Sequence, residues 1–235
     1  MSNPTRHPNG LSTVPALYLY GNYPVPAPFH SGSLPTLGVA QYSNDFVDRV
    51  GEYTATGTSS TFALTNALGG QAVLTPGGAT TASSAYKTYT MFQFIAGQQA
   101  WYNAKFQVSA VAGSVSFRVG LQAGSSANDG IWFSKAASST SINVVSVVNS
   151  TTTTLATGVA TAVAATWFDV GFYYNGTDVL VYVSDNLVAR VTAPTIGSSG
   201  TTLTNALLSP VFQITPTATD TMTIDFVAAS VEVLR

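Results

Sequence analysis

Cysteine is absent from the 235 residues, which excludes a disulfide framework and any thiolate metal site. Charge is nearly as scarce. Charged residues make up 8% of the chain, against roughly 25% in typical soluble proteins. With Lys+Arg at 8 and Asp+Glu at 10, the net charge is −2. No basic patch exists to neutralise phosphates, so neither nucleic-acid binding by counterion release nor polybasic attraction to a membrane is expected. Histidine occurs only as His7 and His30, both in a proline-rich stretch with nothing to hold them beside an acid–base partner. Helix signals are missing as well: no capping box leads into a sustained apolar period of 3.6 residues. No run approaches the roughly 18 apolar residues a membrane helix needs; the longest candidate, LATGVATAVAATW (155–167), is diluted by Thr. The N-terminal MSNPTRHPNGL lacks the continuous apolar segment of a signal peptide, so synthesis in the cytoplasm is expected.

What is present divides into two territories. Residues 1–40 are rich in Pro, Gly and aromatics without period, and read as an extended arm. Leu17, Tyr18, Leu19, Tyr20, Tyr23 and Phe29 in this arm need a surface to lie against, and Arg6 at its start would add hydrogen bonds to acidic groups on a partner. Residues 41–235 carry strand signals. YKTYTMFQFIAG (86–97), WYNAKFQVSA (101–110) and SVSFRVGLQAG (114–124) each alternate over five or more residues. NDFVDRVGEYTAT (44–56) holds the densest charge and would fit one helical turn before a strand. The Thr-rich TTTTLATGVA reads as a connection or an edge. In WFDVGFYYNGTDVLVYV (167–183), Asn175-Gly176 predicts a two-residue type I′ turn between strands 167–174 and 177–183. Phe168, Val170, Phe172 and Tyr174 point to one face of that hairpin. Trp167, Tyr173, Leu180 and Tyr182 point to the other, so both faces need cover, and a neighbouring subunit would supply it. The expected fold is an all-β antiparallel β-sandwich of jelly-roll type with an extended Pro-rich N-terminal arm.

Candidate chemistry is sparse. Asp129, Asp178 and Asp185 fall in turns, where Asp bonds the local backbone. Asp169 and Asp225 stand in the outward register of strands. Two carboxylates meeting for glycoside hydrolysis have no support in spacing, so no catalytic residue is assigned and enzymatic activity is not expected. Asn128-Asp129-Gly130 resembles a fragment of a calcium loop, but turn formation explains it equally, and no metal or cofactor is assigned. Asn149-Ser150-Thr151 and Asn175-Gly176-Thr177 match the glycosylation pattern by chance in a Thr-rich chain. Trp101 and Trp167 each open a strand and read as core aromatics at sheet ends. Trp132 lies between Ile131 and Phe133; if those face inward, Trp132 faces out, as a stacking or, more readily, an interface residue.

The segments WYNAKFQVS, SFRVGLQAG and NDGIWFSK, taken with WFDVGFYYNGTDVLVYVSDNLVARV, resemble the strands of the concanavalin A-like (laminin-G/lectin-type) jelly roll. The whole chain, including NPTRHPNGL and SNDF (43–46), is similar to a family of bacteriophage virion proteins of the capsid decoration or cement type. That resemblance implies a homo-oligomer, commonly a trimer, bound to the major capsid protein on the outer face of a phage head and located in the virion. It carries over no catalytic residues. The rival expectation is a tail-fibre or receptor-binding module that recognises carbohydrate, since the lectin branch of the fold binds sugar through calcium-supported loops. Fold alone does not confer that activity.

Overall fold

Apolar and polar residues alternating along an extended chain sort onto opposite sides of a sheet, and that pattern recurs through most of this chain. The computed structural model describes residues 37–47, 50–65, 70–111 and 113–234, and no helix occurs among them. In chain order the strands begin with β1 (Leu37–Asn44), β2 (Tyr53–Thr56), β3 (Thr61–Thr65), β4 (Gln71–Thr75), β5 (Ser83–Lys87) and β6 (Ala100–Val108). Next come β7 (Ser116–Gln122), β8 (Gly130–Lys135), β9 (Ser141–Val148), β10 (Thr151–Thr161), β11 (Phe168–Tyr174) and β12 (Val179–Val183). The chain closes with β13 (Asn186–Val191), β14 (Ile196–Gly197), β15 (Leu203–Thr204), β16 (Ser209–Thr215) and β17 (Met222–Leu234).

Two antiparallel sheets result. Sheet A has the order β13-β12-β11-β6-β17-β4-β3, with β1 also paired to β17, and sheet B has the order β10-β9-β8-β7-β16-β5-β2. The short β14 and β15 form a separate parallel pair. Strand β17 is long enough to serve two neighbours on one side: Met222 pairs with Leu74 of β4, and Leu234 with Leu37 of β1. Residues 37–40, grouped by composition with the arm, therefore belong to sheet A. The remainder of the arm, with Arg6, Leu17, Tyr18, Leu19, Tyr20, Tyr23 and Phe29, lies outside the described residues.

The core fills the space between the sheets. Phe106 of β6 meets Phe117 of β7 edge-on at 5.5 Å, Phe133 of β8 reaches Phe172 of β11 at 6.5 Å, and Tyr102 stacks on Phe172 at 5.2 Å. Burying each such ring contributes roughly 1.5–3 kcal/mol, which is how a chain with so few charges holds two sheets together. The Thr-rich stretch is an edge: β10 pairs only with β9, through a ladder broken by two register shifts.

Three local expectations need correction. Residues 86–97 are not one strand. Strand β5 ends at Lys87, and Met91 and Phe92 both donate backbone N–H groups to the Leu208 carbonyl, at 2.9 and 3.0 Å. Phe92 and Phe94 are buried, so the alternation there records rings dipping into the core from an irregular segment. Among the described residues of 44–56 there is no helical turn. The 167–183 hairpin closes one residue later than Asn-Gly implies. Tyr174 pairs with Val179 and the Asn175 N–H donates to the Asp178 carbonyl at 3.0 Å, leaving Gly176 and Thr177 as the central pair. Only Gly176 takes a positive φ, 94°. Asn175, just past the end of the ladder, braces the turn: its Oδ1 accepts the N–H groups of Thr177 (2.9 Å) and Asp178 (2.7 Å). Two positive φ values in a row, as type I′ requires, occur instead at Asn149-Ser150 (45° and 66°) and Ser184-Asp185 (47° and 65°).

The hairpin's second face also proves to be covered within the chain. Trp101, Tyr173, Tyr182 and Ala228 form a second buried cluster, with Leu180 and Phe226 packed against it. Trp101 is only 1% exposed in the single chain and Tyr173 and Tyr182 are buried, while Trp167 and Leu180 on the same face stay half-buried.

Candidate functional site

Each sheet turns one face to the core and one outward, and the two outward faces differ in chemistry. On sheet A the register sets Tyr173 opposite Trp101, Gly171 opposite Asn103 and Asp169 opposite Lys105. On the far side of β6, a bulge between Ile224 and Phe226 displaces Asp225 from the ladder. Its carboxylate lies 3.2 Å from the Lys105 ammonium, which also sits 5.5 Å from the Trp167 ring. The Tyr173 hydroxyl donates to Gln99 Oε1 at 2.8 Å, and Glu232 accepts the Gln99 N–H at 2.8 Å. Burial pushes the Asp169 carboxyl up to about 6, reinforced by Asp185 and opposed by hydrogen bonding from Asn103 and the charge of Lys105. Asp169 and Asp225, separate in sequence, thus do reach one face. Lys105 stands between them, and the surrounding aromatics are packed shut.

The outer face of sheet B is open. Here Gln213 of β16 pairs with Arg118 of β7, and Arg118 with Ser134 of β8, so three polar residues from three strands stand in one row. Thr215 and Ser116 form the next row in the same outward register. Trp132 stands on this face too, as the inward Ile131 and Phe133 require. Its indole has room because glycines flank it. A Cβ at Gly130 would lie 2.4 Å from the indole ring, and one at Gly120 only 2.7 Å from the Trp132 Cβ. The Arg118 guanidinium covers the ring at 4.9 Å from its centroid. These residues line a hollow of about 280 Å³, close to the lower end of small-molecule sites at about 300 Å³.

Among the described residues, the charge in this hollow has no counter-ion: none of those lining it is a carboxylate, and none of their ion pairs includes Arg118. The Arg118 Nε is buried without a hydrogen-bond partner. Burial lowers the guanidinium to about 10, which leaves it cationic at neutral pH. Lys135 at the margin is differently placed: its ammonium donates to the Val115 carbonyl and to the Ala136 carbonyl at 3.3 Å.

Trp132, singled out by alternation, therefore does face outward, but only 5% of it is exposed and Arg118 occupies its free face. It is the floor under an arginine and not a bare stacking platform. Arg118, Ser116, Ser134, Gln213 and Thr215 were missed. Their outward register was readable in SVSFRVGLQ and SPVFQITP, but the convergence of β16, β7 and β8 was not. The turn aspartates are occupied structurally. Asp129 accepts from the Asn149 N–H (3.1 Å) and the Thr204 hydroxyl (2.6 Å). Asp178 is held below its ordinary value first by the Ala193 N–H at 2.9 Å and then by Arg190, whose Nε donates at 2.8 Å. Among the described residues, no three His, Cys, Asp or Glu side chains gather as a metal site.

No family model and no curated protein sequence matches this chain. Solved structures do match its shape. An endo-1,3-β-glucanase from Streptomyces sioyaensis superposes with a TM-score of 0.56 at 12% identity, over 86% of this chain and 99% of its own. Peanut lectin gives 0.52 at 11%, over 84% and 98%. The exoplasmic/lumenal domain of VIP36, in its Ca2+/Man3GlcNAc-bound form, gives 0.55 at 13%, over 80% and 86%. At such identities the likeness carries the fold and nothing finer. Those neighbours, together with the two antiparallel sheets and the core between them, establish the described chain as a concanavalin A-like, lectin-type jelly roll.

Proposed function

We propose that this protein is a non-enzymatic carbohydrate-binding module of the lectin type, and that it binds through the outer face of sheet B. The observation that carries this reading is the Gln213–Arg118–Ser134 row lining an open hollow beside Trp132. Sugars are recognised by several convergent hydroxyl, amide and guanidinium groups set against an apolar surface, and the hollow supplies all of these. None of the described residues lining it is a carboxylate, so these residues offer binding groups without an acid–base pair. The Man3GlcNAc-bound VIP36 domain is a protein of this shape that holds a sugar, while the endo-1,3-β-glucanase is an enzyme of the same shape. A glycan array probed with the full chain tests the reading. Binding should appear and should be lost in Trp132→Ala, which removes the floor under Arg118. Absence of binding to any glycan on the array would overturn it.

A second reading is favoured by the surface composition. Charged residues are few, and the edge strand β13 leaves Leu187 55% exposed, with Val188 exposed beside it. Such a surface suits assembly with other chains, in keeping with a homotrimeric decoration protein on a phage capsid or a receptor-binding module in the same virion. Sedimentation of the full chain at micromolar concentration tests it: a trimer supports assembly, and a monomer removes its main support.

A further inference from the structure

A cation drawn partly out of water ordinarily has a carboxylate beside it. Three other cations follow that rule: Lys105 has Asp225, Arg190 has Asp178 and Lys87 has Glu52, while the buried Lys135 is held by backbone carbonyls instead. Arg118 does not. Its Nε is buried and unpartnered, its guanidinium lies over an indole, and no acidic side chain is among the described residues that line the space it faces. The stack on Trp132 holds the planar fork in one orientation, so little side-chain entropy remains to be lost when an anion docks. Around it stand Ser116, Ser134, Gln213 and Thr215, which can donate to or accept from hydroxyl groups and would leave no charge of their own against an anionic ligand.

We propose that the hollow takes an acidic sugar residue, whose carboxylate supplies the counter-ion that Arg118 lacks and whose hydroxyls meet the Ser, Gln and Thr side chains around it. The inference rests on the carbohydrate-binding reading and narrows it to one ligand class. A hollow of about 280 Å³ suits one such residue of a longer chain more than an extended oligosaccharide. A planar guanidinium matches a carboxylate in a bidentate fork, which a neutral sugar's hydroxymethyl group cannot reproduce.

Titration calorimetry on the full chain tests this with tri-galacturonate, tri-glucuronate and sialyllactose, each beside its counterpart with carboxylates reduced to alcohols. At least one acidic probe should bind about tenfold or more tightly than its reduced form, and that preference should weaken as salt is raised. Arg118→Gln should abolish the preference, and Arg118→Lys should restore only part of it. Thermal melting confirms that the variants are folded, and the salt dependence of the unaltered chain tests the charge without any variant. Equal affinity for acidic and reduced probes overturns the carboxylate assignment and leaves the carbohydrate reading standing. No binding of either, with none on the array, removes both. An acidic preference that survives in folded Arg118→Gln places the carboxylate elsewhere and overturns the inference.

Discussion

Sheet A and sheet B present outward faces of different composition, and the two treat their cations in opposite ways. On sheet A, polar groups answer one another: Lys105 with Asp225, Tyr173 with Gln99, Gln99 with Glu232. Aromatic rings fill the space between, and Trp101 is sealed. On sheet B, Trp132 has a cation over its face, and that cation has a buried, unpartnered Nε and no ion pair among the described residues. Paired charges and packed rings make the first face a structural layer, even though Asn103 Oδ1, Asp169 Oδ1 and Ser230 Oγ there are buried without a hydrogen bond. The second keeps a cation with no carboxylate beside it among the described residues.

The comparison can be broken most forcefully at Trp101. If the outer face of sheet A is a second core, Trp101→Ala should cost about 3–5 kcal/mol of unfolding free energy, as expected for a buried aromatic. Glycan binding by the fraction that remains folded should be unchanged. A urea titration showing a loss below about 1 kcal/mol would mean that this face is surface and not core.

Gly176 gives the next largest effect. It closes the hairpin that brings Tyr173, Leu180 and Tyr182 to the same face, with φ at 94° and the Gly97 backbone 3.1 Å from where a Cβ would sit. Valine there combines a left-handed backbone with a tight contact, so Gly176→Val should destabilise by about 1–3 kcal/mol. An unchanged melting temperature would contradict the turn geometry.

These positions also show what one dimension of sequence conveys. Period-two alternation around Phe172 and Phe106 gave the strands and their core faces, because burial of every second side chain is a local pattern. The Asn-Gly pair marked the hairpin but missed its register by one residue, since Asn175 used its side chain where a backbone turn had been expected. Phe92 and Phe94 alternate as strand residues do, although their backbone joins no ladder beyond one bridge at Leu208. The candidate site was the least legible part. Arg118 is an ordinary outward residue of SFRVGLQ, and only pairing with β16 and β8 shows that the described residues around it include no carboxylate. A missing partner leaves no mark in the sequence.

Asp169 makes the contrast dependent on pH. Its folded value of about 6 lies above the ordinary 3.8, so folding favours the protonated form. The cost is absent below about pH 4, grows between pH 4 and 6, and is complete above that. Asp169→Asn should therefore be about 1–3 kcal/mol more stable than the unaltered chain at pH 7 and indistinguishable from it at pH 4. Urea midpoints at the two pH values check this, and equal differences at both would remove burial as the cause.

The smallest effect separates the two faces most sharply, because it compares the same substitution at a paired and an unpaired cation. Lys105→Met keeps the length and packing of the aliphatic stem but deprives Asp225, itself only 7% exposed, of the ammonium 3.2 Å away. Removing one member of a buried pair weakens the support of the other charge. Since the Lys105 side chain is still 30% exposed, water meets part of that demand, and a loss of about 1–2 kcal/mol is expected. At Arg118 the argument reverses. No carboxylate is abandoned, and the desolvation cost of the guanidinium disappears with it. What is lost is the cation–π contact with Trp132, about 0.5–1 kcal/mol, and a methionine sulfur against the indole recovers part of that. Arg118→Met should thus change stability by less than about 1 kcal/mol in either direction, while removing the affinity for acidic sugar. If it costs as much as Lys105→Met, Arg118 already has a counter-charge within the fold, and the hollow on sheet B has no vacant demand for a ligand to meet.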